Sequence, residues 1–168
     1  SNGPFLTFTA AFLFGGFAVG MWYGLIYIYV DAYLGMGDQF AQMFLIAFIV
    51  GILVTPLWCQ VALKCGKKNT WILIVILFIF NFIFTGTLNP GETSFTELLT
   101  LKIIQTCAFV GSGVVVPSML SEIIDYSHLK YGAEKSATYF SIKVFLDKTA
   151  GALGAGLGTV IAGVSKAA

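Results

Sequence analysis

Four stretches of this 168-residue chain, 1–30, 39–63, 69–91 and 103–121, contain no charged side chain at all. A helix crossing a hydrocarbon core about 30 Å thick needs roughly 17 to 25 apolar residues at a rise of about 1.5 Å each. Each interval is therefore long enough to cross once. A water-soluble helix keeps a polar face, and these runs have none. Only 10% of the residues are charged and 58% are hydrophobic, against roughly a quarter charged in ordinary globular domains. The charges are too few to coat a soluble surface, so the partner of this surface is the lipid bilayer.

The first span is expected near Phe5 to Tyr29, the second from Gln39 to Leu63, the third near Thr70 to Leu88 and the fourth from Ile103 to Ser121. A fifth, from about Thr138 to Val164, contains Lys143, Asp147 and Lys148 in its first half. Continuous apolar runs, rather than period-two alternation, exclude the strands of a membrane barrel. The predicted fold class is all-α, a polytopic transmembrane helical bundle of about five spans. The connections are short, at Gly35 to Asp38, Cys65 to Asn69 and Asn89 to Ser94, with a longer charged stretch from Glu122 to Ser136. Residues 1–168 read as a single transmembrane domain.

Lysines in short loops stay on the cytoplasmic side. Lys64, Lys67 and Lys68 follow span two, and Lys130 and Lys135 follow span four, whereas the other loops carry Asp31, Asp38, Glu92 and Glu97 without lysine. The N-terminus of the segment is thus predicted to be cytoplasmic. The first apolar run has no basic n-region and reads as a span, not a signal peptide.

Several functions are excluded by what the charges and side chains do not offer. Nine lysines, no arginine and a net charge of +1 leave no basic footprint for nucleic acid. Cys59, Cys65 and Cys107 lack metal-ligand spacing and read as reduced packing residues, so no metal site is expected. The lone histidine, His128, falls in the charged stretch as a solvated loop residue, remote from any embedded nucleophile, and GALGAGLG follows no strand. Enzymatic and nucleotide-driven chemistry is unsupported, and no cofactor is called for.

What remains is the cost of charge in lipid. An ionisable group at membrane depth is a functional hypothesis by default. Lys148 lies about ten residues into the fifth span, roughly 15 Å deep, too far for snorkelling. Lys143 and Asp147, four apart, share a face and can pair. Lys148 has no acid three or four positions away, so its partner must come from elsewhere. Lys102, near the outer end of span four, can snorkel and reads as structural. Asn81 suits an interhelical hydrogen bond or a solute contact. Tyr23 and Tyr27, one turn apart in an aromatic-rich span, suit sugar stacking or an interfacial belt. Pro56 and Pro117 interrupt the backbone ladders of spans two and four. Gly151, Gly154, Gly156 and Gly158 read as close helix packing.

Two segments carry a resemblance. PLWCQVALKCGKKNTW, Pro56 to Trp71, looks like the basic loop between the second and third helices of a half in the major facilitator superfamily. MLSEIIDYSHLKYGAEKSATYFSIKVFLDKTAGALGAGLG, Met119 to Gly158, resembles helices ten and eleven of the glycoside-pentoside-hexuronide:cation symporters, the melibiose permease family. GLIYIYVDAYLG, Gly24 to Gly35, is similar to that family's helix seven. The resemblance implies a partial major facilitator fold, helices seven to eleven, in an incomplete C-terminal half of a twelve-helix transporter.

The implied activity is cation-coupled symport of a sugar, glycoside or similar small organic solute, with Na⁺ or H⁺ as coupling ion, in the inner or plasma membrane. A lysolipid transporter on the same scaffold, or a membrane assembly subunit that moves nothing, are the alternatives. The resemblance places Lys148 at the position of a helix-eleven lysine facing the acidic site of the missing N-terminal half. It puts Asp125, Tyr126 and Lys130 at a cytoplasmic gate, beside the loop residues Lys64, Gly66, Lys67 and Lys68. In this scheme Lys148, Asp147, Tyr23, Tyr27 and Asn81 form the substrate and cation pathway. Cys59 and Leu63 stand where the superfamily's loop has Gly and Asp, and the Gly132 to Ala137 stretch departs from the family's Gly-x-Arg-x-Glu-Gly.

Overall fold

The computed structural model describes residues 3–131 and 136–167, with side chains at 4, 131, 136 and 165–167 excepted. Glu134 and Lys135, counted above among the loop charges, lie outside the described residues, as does most of the Gly132 to Ala137 stretch. Everything regular among the described residues is helical: α1 Gly3–Ile28, α2 Phe40–Cys65, α3 Lys67–Thr85, α4 Phe95–Tyr131 and α5 Ser136–Ala167. A π-turn, Tyr29–Tyr33, prolongs α1, and a 3₁₀ turn, Gly37–Gln39, leads into α2. Among the described residues five helices are long and apolar enough to cross a membrane, as the four charge-free intervals and the largely apolar fifth run predict.

The differences lie at the ends. The fourth helix starts eight residues earlier than expected and carries through the charged Glu122 to Lys130 stretch, so that stretch is helix and His128 is an exposed helix residue, not a loop residue. Charge marks where lipid ends, not where backbone hydrogen bonding ends, so a helix can leave the bilayer without breaking. The α4 start is set by a reciprocal cap. The Ser94 backbone N–H donates to Glu97 Oε2 at 2.8 Å, and the Glu97 N–H donates to Ser94 Oγ at 3.3 Å. The expected Cys65–Asn69 loop shrinks to Gly66, whose φ of +82° is open to glycine and strained for other residues. Its carbonyl accepts both the N–H and the hydroxyl of Thr70, at 3.0 and 2.8 Å, which starts α3 at once.

The chain forms two compact units, Ser1–Val30 with Leu120–Ala168, and Asp31–Met119. In the first, α1 and α5 run side by side in the same direction, with Gly20 on Gly151, Gly24 on Ala155, and Gly158 on Met21 and Leu25. In lipid no hydrophobic force separates helix from solvent, so association follows from close backbone approach, and glycine permits it. The small-residue reading of the fifth span is thereby located: its partner is α1. Tyr139 binds the end of α4 to the start of α1, through its hydroxyl and Ser127 Oγ at 2.8 Å and an edge-to-face contact with Phe5 at 4.5 Å.

The second unit is built on Trp58, Ile74, Ala108 and Val115, one or two from each of α2, α3 and α4. Trp58 donates its indole N–H to the Cys107 carbonyl at 2.8 Å. Gly111 makes room for that indole, since a Cβ there would come within 2.7 Å of Trp58 and 2.9 Å of Ile74.

Candidate functional site

Within the first unit, the fifth span carries its charges as spaced in sequence. Lys143 Nζ lies 3.9 Å from Asp147 Oδ2 and 5.1 Å from the centroid of the Phe12 ring, so the pair expected from i,i+4 spacing forms and is backed by an aromatic face of α1. Lys148, the next residue, points away from this pair. It is exposed and has no ion pair among the described residues. A lysine at helix-centre depth costs roughly 2.5–3.5 kcal/mol on insertion scales, so an acid, a water-filled cavity or a ligand is needed where Lys148 points. Tyr23 and Tyr27 are also exposed, at 45% and 53%, on the helix that packs against α5. Neither tyrosine is spent on filling a core.

Asp125 and Tyr126 are exposed near the end of α4, and Lys130 donates to Tyr126 Oη at 3.1 Å while lying 5.4 Å from its ring. The Asp-Tyr-x-x-x-Lys turn is thus helical, with Lys130 and Tyr126 joined at i,i+4.

In the second unit, Gly66 separates α2 from α3, and the three loop lysines divide by role. Lys64 and Lys68 are exposed, whereas Lys67 is partly buried and donates to the Ser118 carbonyl at 3.3 Å, tying the start of α3 to α4. Asn81 is buried at 1% exposure and donates through Nδ2 to the Leu101 carbonyl at 2.6 Å. Of its two expected roles, the interhelical hydrogen bond is made. Its Oδ1 is buried without a hydrogen-bond partner.

Lys102 corrects its sequence reading. It does not snorkel toward the outer end of its helix. Nζ sits 3.7 Å from the centroid of the Phe44 ring on α2 and donates at 3.1 Å to Gln105 Oε1, which is further along α4 toward its middle. An aromatic face within reach on a neighbouring helix outcompetes the aqueous boundary. Gln105, only 5% exposed, was not singled out from sequence, since a lone glutamine in an apolar run carries no periodic signal. Around the turn that joins α3 to α4, an open cleft of about 490 Å³ is lined by Glu92, Glu97, Thr96, Thr100 and Leu101 among others. Both carboxylates there already accept local hydrogen bonds, from Asn89 Nδ2 and the Ser94 N–H. Among the described residues no three His, Cys, Asp or Glu side chains are grouped to hold a metal ion.

Comparison with known proteins adds the context for these placements. A family model described as MFS/sugar transport protein matches residues 1–165. A curated relative, the sodium-dependent lysophosphatidylcholine symporter 1-A of Danio rerio, is 23% identical over 164 residues, which is 95% of this chain and 30% of the relative. The chain therefore spans less than a third of the length of the curated relative it matches. No solved structure matches it significantly.

Proposed function

The chain belongs to the MFS/sugar transport protein family, and from that premise we propose that it is part of a cation-coupled secondary transporter working by alternating access. The family is one of transporters rather than enzymes, and five apolar helices make the chain an integral membrane protein. The observation that carries the reading is Lys148: a cation in the fifth span, exposed on the helix pair α1/α5 and without an ion pair among the described residues. Membrane spans keep such charges for ion and solute pathways or for partner acids.

In this proposal the acid comes from the part of the transporter outside this chain, an N-terminal half with its own embedded carboxylates. Lys148 stands at the midplane. Asp147, held by Lys143, and the exposed Tyr23 and Tyr27 line the same pathway, while Asn81 serves packing and a polar contact between α3 and α4. Lys64, Gly66, Lys67, Lys68, Asp125, Tyr126 and Lys130 stand at the cytoplasmic face, with the N-terminus of the segment inside and the protein in the cell membrane. Ion and solute are coupled because each binds one of two access states better, so each shifts the other's equilibrium.

For the coupling ion the named relative favours Na⁺, and for the solute it favours a lysophospholipid. A sugar or glycoside is the second reading, favoured by the description of the family model and by the exposed tyrosines, which suit stacking on a pyranose face. The test is uptake of labelled lysolipids and glycosides by vesicles holding the full-length transporter under imposed Na⁺ or H⁺ gradients. Lysolipid accumulation driven by Na⁺ supports the first reading, and sugar accumulation supports the second. Folded, correctly oriented protein that moves neither overturns both and favours a non-transporting assembly subunit.

A further inference from the structure

In the second unit α3 is built the opposite way round from a helix of a soluble protein. Its polar side chains Thr70, Asn81 and Thr85 are buried, and the face it turns outward carries Ile72, Val75, Ile76, Ile79 and Ile83, at 42–62% exposure. Their spacing sets them in one stripe along the helix. Helix faces that meet another helix in lipid are rich in small residues, because close backbone approach is what holds them together. The α5 face toward α1 is of that kind, with Gly151, Gly154, Ala155 and Gly158. The α3 stripe is not: no glycine, alanine, serine or threonine occurs anywhere from Ile72 to Phe84. Branched and aromatic side chains without small neighbours suit acyl chains rather than a packed helix.

The stripe ends in a lysine. Lys68 stands four positions before Ile72 and is exposed. On α2 the exposed Leu53 and Leu57 lead by the same spacing through Gln60 to Lys64, which is exposed as well. Only Gly66 separates the two helices, so both lysines stand at one tip of the α2–α3 hairpin. Neither makes an ion pair or a hydrogen bond among the described residues, whereas Lys67 between them is drawn inward to the Ser118 carbonyl. No Asp or Glu occurs from 39 to 91, so nothing on these two helices neutralises the tip.

We propose that the outward face of α3, headed by Lys68 and Lys64, is a binding surface for an anionic phospholipid. The phosphate lies against the two ammonium groups, and the acyl chains run down Ile72, Ile76 and Ile79. From Lys68 to Ile79 is about 16 Å along the helix, the depth of one leaflet of a hydrocarbon core about 30 Å thick. A lysine ammonium acts as a point charge without a fixed fork of donors, so the surface selects net negative charge at the headgroup and not one headgroup structure. The surface is distinct from Lys148, which belongs to the other unit, and it stands whether or not the chain transports.

The test uses the full-length protein in phosphatidylcholine nanodiscs that contain a small fraction of phosphatidylglycerol with a photoactivatable group on its acyl chain. The matching phosphatidylcholine probe is the comparison, and labelled positions are read by peptide mass spectrometry. Labelling of residues 72–79 by the phosphatidylglycerol probe is expected to exceed that by the phosphatidylcholine probe at least about fivefold, the worth of one lysine near an anionic surface. The preference should fall toward unity in the double variant Lys64→Gln, Lys68→Gln, and should weaken as salt is raised. Equal labelling by the two probes, or a preference undiminished in the folded double variant, overturns the proposal. Absence of labelling there by either probe overturns it too, and shows that protein covers the face, from the rest of the transporter or from a second copy. If the double variant does not fold, Lys68→Gln alone decides by the same criterion.

Discussion

Gly154 of α5 sits against the carbonyl of Phe17 in α1, so close that a Cβ on Gly154 would fall upon that oxygen. Two residues along, Gly156 has nothing within 4 Å of where its Cβ would stand. The two glycines look alike in the GALGAGLG run and differ wholly in what they permit. Gly154→Ala is expected to force α1 and α5 apart at a cost of about 1–3 kcal/mol. Gly156→Ala should be neutral or favourable by up to about 1 kcal/mol, through helix propensity alone. Thermal unfolding of the two variants in detergent checks this; equal loss in both would show that the α1/α5 seam does not rest on Gly154.

Lys148→Ala in the full-length transporter should abolish coupled uptake while leaving expression and thermal stability near those of the parent. Lys148 is exposed and makes no ion pair among the described residues, so its removal takes away no packing there. Uptake that survives the change would remove Lys148 from the pathway. Asp147→Asn, which breaks the pair with Lys143, should lower uptake less.

The Trp58 indole offers a stability test inside the second unit. Trp58→Phe loses the bond to the Cys107 carbonyl, a net effect of about 1 kcal/mol, because that carbonyl retains its own helical partner. Gly111→Ala should cost more, about 1–3 kcal/mol, since its Cβ would meet both the indole and Ile74. Denaturation midpoints ranked the other way would contradict the packing described.

Lys67 and Lys68 are neighbours with different environments. Lys67→Met should disturb gating or orientation by freeing α3 from the Ser118 carbonyl, whereas Lys68→Met, at an exposed position, should have a smaller effect. Transport kinetics and accessibility of cysteines placed in the loop distinguish the two, and identical behaviour would make the Ser118 contact dispensable. Replacing both lysines together should have at least the effect of Lys67→Met.

Lys102 and Gln105 show where reading a sequence stops. The charge of Lys102 at membrane depth is visible in the chain, but whether it reaches back to water or inward depends on Phe44, which lies on another helix 58 positions earlier. Asn81 is visible as a polar residue in an apolar span, while its acceptor, Leu101, is named by nothing in the local pattern because every backbone carbonyl looks alike in sequence. The helical continuation through Glu122 to Lys130 was hidden for a related reason: hydropathy reports where lipid ends, and charged residues form good helix in water.

The sequence by itself determined the class of this protein. Charge-free runs of about twenty residues must satisfy their backbone internally once in lipid, so four of them, with the largely apolar fifth span, dictate five helices, and the lysines that do fall at membrane depth stand where solvation cost makes them informative. The tertiary structure decided which small residues face a partner backbone and which face open space, and which embedded polar groups are answered. Gly154 and Gly156 look alike in the GALGAGLG run. They are separated only by the direction each takes from a helix already packed against its neighbour.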